Sequence, residues 1–509
     1  MDAISKLRSF LLAGKLSYAE VLIDEQLKKT SSPGERSRWI ASAGVLKCLQ
    51  GKQECLQAFR EALQLDPGNH SARWNYELLI ADQFGVGVAP LTTRGSKRTR
   101  IAVLSFLFNW PSTGGGIVHT VELCDFLQRA GYEVEHFYAR YDPWELGVVK
   151  QATPMKSHAL HFHDSDWSLP GIQQRYRVAV TAFQPDYVIV TDSWNMKPVL
   201  AEAVEQFQYI LRLQALECLC PLNNIRLLPD GQGGLRQCQL HQLATPDQCR
   251  ECIGQNGQRS GSLHRDERQL AEVASPKYET RLKKVFRQAH AVLVVNPLTE
   301  AMVAPYSTRV CTVTAGMDPA RFPEIWPDDP APASERPMKQ ILFAGLIDET
   351  IKGFGVLHEA CQRLSKKRQD FELLVTADPI GRIDSITRTL GWQTQDSLPR
   401  IMRGSDIVAV PAVAQEALGR TAVEAMGAGR PVVASRLGGL PFTIPDGATG
   451  LLFEPGNPDD LATKLEQLLN SVELRTRLGT SGRQRFLEHY AWPVIIEKHY
   501  LPLLGAPRS

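Results

Sequence analysis

The sequence lacks a strong net charge and any long apolar run. Its 57 lysines and arginines are matched by 55 aspartates and glutamates, which leaves a net charge of +2 over 509 residues. Without an excess of positive charge to attract phosphate backbones, no nucleic-acid-binding role is expected. No stretch approaches the length that crosses a bilayer, and no secretory leader pattern stands at the N-terminus. We therefore expect a cytoplasmic protein without a transmembrane segment, and peripheral association with a membrane stays open.

Cysteine is sparse outside one segment. Five of the ten cysteines lie between Cys218 and Cys252. In a reducing compartment such a cluster indicates metal binding or reduced thiols more than disulfides. Four thiolates supply the tetrahedral set that zinc prefers, and four ligands leave no position open for catalysis. One hypothesis is a structural zinc held by Cys220, Cys238, Cys249 and Cys252, with Cys218 or His241 able to replace Cys220; the alternative is a loop of reduced cysteines.

Hydrophobic periodicity divides the chain into four parts. The first part has only helical patterns, and its stretch from Trp39 to Pro67 resembles a tetratricopeptide repeat (TPR). Strands and helices then alternate in two blocks, which a Pro- and Asp-rich segment, "WPDDPAPASERP", separates as a hinge would. The predicted parts are a helical region at 1–90, an α/β domain at 98–330 with a Cys-rich insertion at 218–262, a second α/β domain at 337–490, and a helix at 491–509 that crosses back to the first domain.

Both α/β domains are predicted to be doubly wound parallel sheets. Runs typical of buried strands, such as "IAVLSFLF" and "QILFAGLI", open the two domains, and helical patterns follow the strands. The fold class is therefore α/β, with two Rossmann-like domains facing a cleft and a small all-α, TPR-like region before them. That region has too few repeats to bury a solenoid core alone, so it is either a helical cap or an arm that binds a protein partner.

The most specific motif is "PAVAQEALGRTAVEAMGAGRPVVAS". Glu416 follows a strand, Gly419 makes a turn, and Glu424 lies eight residues after Glu416 on the next helix. A glycine at this turn lets backbone N–H groups approach a ligand, and the helix start adds a partial positive charge. The two carboxylates cannot bind phosphate, but they accept hydrogen bonds from sugar hydroxyls. The alternative, an acidic pair on the surface of an amphipathic helix, fits Glu424 alone.

A glycine loop, "STGGG", is the second candidate. Gly114, Gly115 and Gly116 stand between the first strand of an α/β domain and its helix. In that position their backbone amides can cradle phosphate oxygens, whereas the same residues in isolation could form a plain tight turn. His119, one helical turn further on, is a candidate for the acceptor side, and a local hydrogen bond is the alternative.

Residues 100–505 resemble the retaining GT-B glycosyltransferases of the family-four (group 1) type. The resemblance rests on the E-x7-E segment, on Gly438 and Gly439, on "PDGATGLLFEPGNPDDLA" and on "ILFAGLIDETIKGFGVLHEA". It implies transfer of a sugar from a nucleoside diphosphate to an acceptor, with retention of configuration and without a catalytic metal. The donor, a UDP-, GDP- or ADP-sugar, stays open. So does the acceptor, which could be a lipid carrier, a glycan, a protein or a small molecule.

The resemblance also implies roles for individual residues. Glu416 would hold hydroxyls of the donor sugar, Glu424 would hold ribose hydroxyls, and Lys352 would neutralise the diphosphate. The glycine loop would face the donor across the cleft. The expected catalytic residues are Glu416, Lys352, Asp192 and His119, and the expected contacts to the nucleotide sugar are Gly114, Gly115, Gly116, Lys352, Glu416, Leu418, Gly419, Arg420 and Glu424.

Two positions depart from the family pattern. Gly345 is followed by Leu346 where the family usually has arginine, and the loop "VIVTDSWNMKP" has Asp192, Ser193 and Asn195 in the neighbourhood where a histidine is usual. Arg420, directly after Gly419, is predicted to replace the missing arginine at the diphosphate, and a surface arginine is the alternative.

Two rival functions stay open. One is a non-catalytic binding protein whose TPR-like arm recruits partners and whose departures at Leu346 and Asp192 reflect lost activity. The other is a sugar-nucleotide epimerase, which shares the two-domain architecture.

Overall fold

The computed structural model describes residues 3–12, 15–50, 52, 54–69, 72, 75, 98–112, 114–222, 226–230, 235–324, 326 and 338–507. The chain divides into two compact units, one formed by residues 1–96 with 181–183 and the other by 97–180 with 184–509. Nearly all of the segment expected to be a hinge lies outside the described residues. No helix in the described ranges is long and apolar enough to span a membrane.

Four helices form most of the described part of the first unit. Gly44 in the third helix faces the ring of Phe59 in the fourth, where a Cβ on residue 44 would lie 2.7 Å from the ring. Phe59 is fully buried, so its ring packs against the backbone of the third helix at a glycine. The resemblance to a TPR stays a prediction. The helices are α1 (Ala3–Leu12), α2 (Leu16–Lys29), α3 (Pro33–Leu49) and α4 (Cys55–Leu65).

The second unit begins with a parallel sheet in the strand order β3-β2-β1-β4-β5-β8-β9. Its first strand in the sequence, β1 (Arg100–Ser105), is fully buried from Ile101 to Leu104, as a continuous apolar run predicts for a sheet covered on both faces. The strands are β1 (Arg100–Ser105), β2 (Glu133–Arg140), β3 (Lys156–His161), β4 (Tyr187–Val190), β5 (Gln208–Arg212), β8 (Ala291–Val294) and β9 (Val310–Thr312), and a separate hairpin is formed by β6 (Leu227–Pro229) and β7 (Leu235–Gln237). The helices are α5 (Gly115–Arg129), α6 (Leu169–Phe183), α7 (Lys197–Ala203), α8 (Pro246–Asn256), α9 (Ser262–Leu270), α10 (Pro276–Gln288) and α11 (Pro297–Val303).

A second sheet follows in the order β12-β13-β11-β10-β14-β15-β16, parallel except for the β12–β13 pair. Side chains alternate between its faces: Leu342 and Val408 pack in one hydrophobic cluster, Ile341 and Ile407 in another. The strands are β10 (Lys339–Phe343), β11 (Phe371–Val375), β12 (Gly381–Arg382), β13 (Thr387–Thr389), β14 (Ile407–Val410), β15 (Val432–Ser435) and β16 (Gly450–Phe453). The helices are α12 (Phe354–Ser365), α13 (Leu398–Gly404), α14 (Arg420–Gly427), α15 (Leu440–Thr443), α16 (Pro458–Asn470) and α17 (Val472–His489).

The chain after residue 491 packs on the first sheet. It forms α18 (Trp492–Ile495), a π-helical turn (Ile496–Tyr500) and α19 (Leu501–Leu504). Trp492 and Tyr500 belong to the same buried cluster as Val103 of β1. The Trp492 ring stacks on the rings of Phe126 and His119, with centroid distances of 5.8 and 5.0 Å. The C-terminal segment therefore completes the core of the domain that opens this unit.

Replacing Trp492 with alanine should lower the stability of this unit by about 3–5 kcal/mol, because it leaves a cavity among buried rings. The exposed Leu487→Ala, on the preceding helix, serves as control and should change stability by less than about 0.5 kcal/mol. Denaturant unfolding followed by circular dichroism measures both. Equal midpoints for the two variants would contradict the packing described.

Candidate functional site

A cavity of about 370 Å³ lies where the carboxyl ends of the two sheets face each other. Strand order reverses between β1 and β4 in the first sheet and between β10 and β14 in the second. Loops diverge at such points, which is where open α/β sheets bind ligands. Gly116 and Asp192 line the cavity from the first domain, and Lys352 and Glu416 line it from the second. The fold thus brings two pairs of sequence-predicted residues to one place.

Lys352 and Glu416 contact each other at the cavity wall. The distance from Lys352 Nζ to Glu416 Oε1 is 2.9 Å, and the two side chains are 38% and 25% exposed. Burial by itself lowers the pKa of Lys352, but the Glu416 carboxylate outweighs it, so the pKa is raised. The ammonium group therefore stays charged. A ligand meets one cation and one hydrogen-bond acceptor side by side.

A glycine fixes the position of Lys352. Gly353 has a φ of 76°, and a Cβ there would lie 1.8 Å from the carbonyl oxygen of Pro411. Only glycine tolerates both that conformation and that approach, so the turn carrying Lys352 docks directly on the end of β14. Glu416 lies in the loop that leaves β14, and its carbonyl oxygen accepts a hydrogen bond from Gly439 N at 2.7 Å.

The glycine loop forms the start of α5. Gly114 is the N-terminal flanking residue of this 15-residue helix, and no side chain of the described residues caps it. The first backbone N–H groups of a helix lack partners within the helix, so they are available to an anion. Gly114, Gly115 and Gly116 all line the cavity. A Cβ on Gly115 would lie 3.5 Å from Arg420 Cδ, so the two domains meet at this point.

Asp192 follows β4 and approaches the start of α5. Its carboxylate accepts a hydrogen bond from Gln214 Nε2 at 3.0 Å, and a Cβ on Gly116 would lie 3.0 Å from Asp192 Oδ1. Burial raises the pKa of Asp192 to about 7, while hydrogen bonds from Thr120 and Ser105 act in the opposite direction. A carboxyl group with a pKa near neutrality, placed in a cleft, is suited to give or take a proton or to orient a hydroxyl.

Glu122 of α5 contacts the second domain through one carboxylate oxygen and the C-terminal segment through the other. Oε1 accepts a hydrogen bond from Arg420 Nη2 and Oε2 accepts one from Trp492 Nε1, each at 3.0 Å. Arg420 Nε lies 3.4 Å from Glu424 Oε1. Arg321 Nη1 lies 3.6 Å from Glu122 and 3.9 Å from Glu424. Two arginines and two glutamates therefore balance each other at the domain junction.

The ion pairs of this network hold the side chains of Glu424 and Arg420 at the domain junction. Glu424 is 3% exposed and is not among the described residues that line the cavity, so its carboxylate faces arginines there. Burial raises the pKa of Glu424, although Arg420 and Arg321 oppose that rise. Arg420 lines the cavity, as do Leu418 and Gly419, but its guanidinium group contacts two carboxylates. The ribose role of Glu424 and the diphosphate role of Arg420 stay predictions.

Neither His119, an expected catalytic residue, nor Leu346, which stands where the resembled family has arginine, is among the described residues that line the cavity. His119 is 1% exposed and stacks on Trp492, and neither ring nitrogen finds a hydrogen-bond partner among the described residues. Burial, with the nearby Arg212 and Arg420, lowers the pKa of His119, so the ring is neutral. Leu346 is 41% exposed. The structure therefore separates His119 from the residues that a substrate in this cavity would touch.

The structure describes no metal site at the cysteine cluster. In the ranges that the structure describes, no three His, Cys, Asp or Glu side chains come together so as to hold a metal ion. Burial raises the pKa of Cys249 to about 11, and the nearby thiols of Cys220, Cys238 and Cys252 act in the same direction. The Cys252 sulfur accepts a hydrogen bond from Asn256. A zinc ion held by these four cysteines, with Cys218 or His241 as a replacement for Cys220, stays a prediction beside the alternative of reduced thiols.

Sequence reasoning missed several residues at this site. Gln214 and Glu217 follow β5 and line the cavity, as does Trp194 after β4. Their position just beyond the carboxyl ends of predicted strands was an available signal, because open α/β sheets bind ligands at that edge. Glu122 and Arg321 gave no such signal, because their partners are far away in the sequence.

Solved structures with the same fold include several glycosyltransferases. Sucrose-phosphate synthase from Thermosynechococcus elongatus aligns with a TM-score of 0.57 at 19% identity, covering 80% of this chain and 100% of that one. Anabaena HepE in complex with UDP and glucose aligns with a TM-score of 0.54 at 14% identity, covering 80% and 99%. These comparisons show an α/β fold with parallel sheets like that of GT-B glycosyltransferases.

Sequence similarity is concentrated in the second domain. The family model for glycosyl transferases group 1 matches residues 338–471, which include Lys352 and Glu416. The D-inositol 3-phosphate glycosyltransferase of Corynebacterium kroppenstedtii is 35% identical over 30% of this chain and 37% of its own length. The MMP alpha-(1->4)-mannosyltransferase of Mycolicibacterium hassiacum is 30% identical over 41% of this chain and 53% of its own. The chain thus spans about half the length of these curated relatives or less.

Removing the cation at position 420 should lower the stability of the folded protein, because it leaves the charges at the domain junction unbalanced. Arg420→Ala leaves two buried carboxylates with Arg321 alone, so we expect a loss of about 3–5 kcal/mol. Adding Glu122→Gln removes one of those charges, and the double variant should lose clearly less than the sum of the single variants. Denaturant unfolding of the four proteins gives the coupling, with the exposed Arg287→Ala as control. Additive losses would contradict the network.

The raised pKa of Asp192 predicts a pH-dependent stability. The folded protein binds this proton more tightly than the unfolded chain, so the favourable contribution is present at low pH and is lost as the pH rises from 3.8 to about 7. The wild type should therefore lose thermal stability relative to Asp192→Asn across that window, and the difference should level off above it. Of the nearby charged groups, Glu217 raises the pKa of Asp192 and Lys197 lowers it. Asp348→Asn, at an exposed position, is the control, and curves for Asp192→Asn parallel to the wild type would refute the shift.

Proposed function

We propose that this protein transfers a sugar from a nucleoside diphosphate to an acceptor. The observation that carries the proposal is one cavity in which the Lys352–Glu416 pair stands opposite the uncapped start of α5. A nucleotide sugar presents an anionic diphosphate beside neutral hydroxyls. The cavity presents a cation and a helix start beside carboxylates, so the two patterns are complementary.

The similar proteins support the same class of reaction. The curated relatives are named as a glycosyltransferase and a mannosyltransferase, and the HepE structure contains UDP and glucose. The family match covers the domain that supplies Lys352 and Glu416. No donor base follows from these names, so UDP-, GDP- and ADP-sugars all remain candidates.

Lys352 and Glu416 exchange partners when the donor binds. Without a ligand the ammonium and carboxylate groups satisfy each other at 2.9 Å. A donor whose diphosphate contacts Lys352 and whose sugar hydroxyls contact Glu416 replaces that single contact with two. Each group then keeps a hydrogen-bond partner, so neither is left unpaired in a closing cleft.

Charge on the departing diphosphate is stabilised by Lys352 and by the first amides of α5. The bond from the anomeric carbon to the phosphate oxygen breaks, its electron pair leaves with the diphosphate, and the acceptor oxygen bonds to the anomeric carbon. Fixed donors aimed at the developing charge provide electrostatic catalysis without a catalytic metal. Retention follows where the acceptor approaches on the face of the leaving group, whose phosphate oxygen then takes the acceptor proton.

Asp192 orients the reacting sugar. It occupies the loop in which the resembled family has histidine, and its carboxylate lies close to Gly116 at the helix start. With a pKa of about 7 it is largely ionised in mildly alkaline solution and accepts a hydrogen bond from a sugar hydroxyl.

Glu424 remains the proposed ribose ligand, and its burial implies a movement. Arg420 and Arg321 hold this carboxylate at the domain junction, so ribose reaches it only after those side chains shift. Nucleotide binding is then coupled to a change between the domains, which excludes water from the donor. Arg420, once released from Glu424, becomes available to the diphosphate. The TPR-like helices are proposed as a partner-binding arm of a cytoplasmic enzyme.

Lys352→Ala should lower sugar transfer by about 100-fold to 1,000-fold, as expected for loss of one preorganised charge-stabilising group. Glu416→Gln should lower transfer while leaving affinity for the nucleoside diphosphate nearly unchanged. Lys366→Ala and Glu497→Gln, which alter exposed residues of the same types, are matched controls and should behave like the wild type. The measurement is product formation with UDP-, GDP- and ADP-sugars.

The same donors test the proposed function by thermal shift. A nucleotide sugar at about 100 times its Kd should add about 2.7 kcal/mol to the stability of the folded protein. A flat response to the whole panel would contradict donor binding. Binding without transfer would favour the non-catalytic alternative, and interconversion of the nucleotide sugar without an acceptor would favour an epimerase.

A further inference from the structure

Trp194 lines the cavity without a role in the donor chemistry above. It lies two residues after Asp192, at the carboxyl end of β4, and is partly exposed. Its φ is 34°, in the left-handed region that bulky residues rarely adopt. Such a conformation persists where the surrounding structure holds it, and it concentrates at functional sites.

The helix α9 (Ser262–Leu270), which directly follows the Cys-rich insertion, provides that surrounding structure. The imidazole ring of His264, in α9, stacks on the Trp194 ring with a centroid distance of 3.5 Å and an interplanar angle of 9°. One turn further on, Glu267 accepts hydrogen bonds from Met196 N at 2.6 Å and from Asn195 Nδ2 at 3.0 Å. Glu267 is fully buried, so these contacts are shielded from water. A single helical turn therefore holds both the indole ring and the two residues that follow it.

The stack leaves one face of the indole for a ligand. Burial lowers the pKa of His264 to about 4, with Arg268 acting in the same direction, so the imidazole is neutral near pH 7. A neutral aromatic ring therefore stacks on Trp194, and Trp194 itself lines the cavity and is partly exposed. Asp192, Gln214 and Glu217 line the cavity with it and carry hydrogen-bonding groups.

We propose that Trp194 is a stacking platform for a sugar ring of the acceptor, positioned by His264 of α9. A pyranose ring has a face of C–H groups that packs on an aromatic ring, while its hydroxyls bond to surrounding polar groups. The diphosphate and donor-sugar contacts are already supplied by Lys352, Glu416 and the start of α5. Trp194 lines the same cavity and takes no part in those contacts, so it is available to the second substrate.

This inference rests on the proposed function and narrows the acceptor to a carbohydrate or a molecule that carries one. The hairpin of the Cys-rich insertion, which precedes α9 in the chain, contacts the second domain, where Gln237 Nε2 donates a hydrogen bond to the carbonyl oxygen of Val413 at 3.3 Å.

The test compares acceptors in the intact protein. Trp194→Ala should raise KM for a methyl glycopyranoside acceptor by about tenfold, while the thermal shift caused by the nucleotide sugar stays unchanged. Trp194→Phe keeps an aromatic face and should recover most of the loss. His264→Ala should have an intermediate effect, and His264→Phe should restore it because the backing ring returns. Trp392→Ala, a change at an exposed tryptophan of the second domain, is the control and should leave KM unchanged.

Direct binding separates this inference from the proposed function. Saturation-transfer NMR with the methyl glycopyranoside alone should show binding to the wild type and to Trp194→Phe, and none to Trp194→Ala, even where no transfer occurs. Unchanged glycoside binding and KM in folded Trp194→Ala would overturn the platform. Loss of donor binding in that variant would overturn it too, because Trp194 would then belong to the donor site. An equal rise in KM for glycerol, which has no ring, would also contradict it.

Discussion

Glu122 imposes the constraint on which the two-domain unit depends. It stands on the helix that begins at the glycine loop, and its partner Arg420 is the first residue of the helix that begins beside Glu416. The contact therefore sets the distance between two helix starts that both face the cavity. Trp492 donates to the other oxygen of Glu122, so the C-terminal segment joins the same junction. Because these charges are buried, each requires its partner, and the domains cannot separate here without a large cost.

This balance divides the cations of the cavity into two kinds. Arg420 is compensated by Glu122 and Glu424, whereas Lys352 contacts the single, partly exposed Glu416. An anion that binds Lys352 displaces one partly exposed carboxylate, whereas an anion that binds Arg420 displaces two buried ones. Lys352 is therefore the cation that an anion reaches at lower cost. In the first domain, burial raises the pKa of Asp192, and the His264 ring stacks on Trp194. Charge pairing therefore organises the side of the cavity that carries Lys352, and burial and ring packing organise the side that carries Asp192.

Much of this arrangement could be predicted from local sequence, and the rest depends on distant partners. Runs such as "IAVLSFLF" and "QILFAGLI" predicted β1 and β10, because strands buried on both faces are continuously apolar. The outer strand β3 was missed because "KSHALH" is largely polar. The sequence placed Lys352 and Glu416 in the second domain as separate contacts to a donor, and their contact with each other was not predicted. Glu122 and Arg420 are 298 residues apart, so no local pattern could show that Arg420 is neutralised or that Glu424 is buried.

The proposed function requires this cavity to recognise a nucleoside diphosphate through its phosphates. Calorimetric titration of the wild type with UDP, GDP and ADP, each compared with its own nucleoside, tests this most directly. At least one diphosphate should bind about 100-fold or more tightly than its nucleoside, since two charge-assisted contacts account for such a ratio, and the ratio should fall in Lys352→Ala. A nucleoside that binds as tightly as its diphosphate, or the absence of binding by all three diphosphates, would contradict the account.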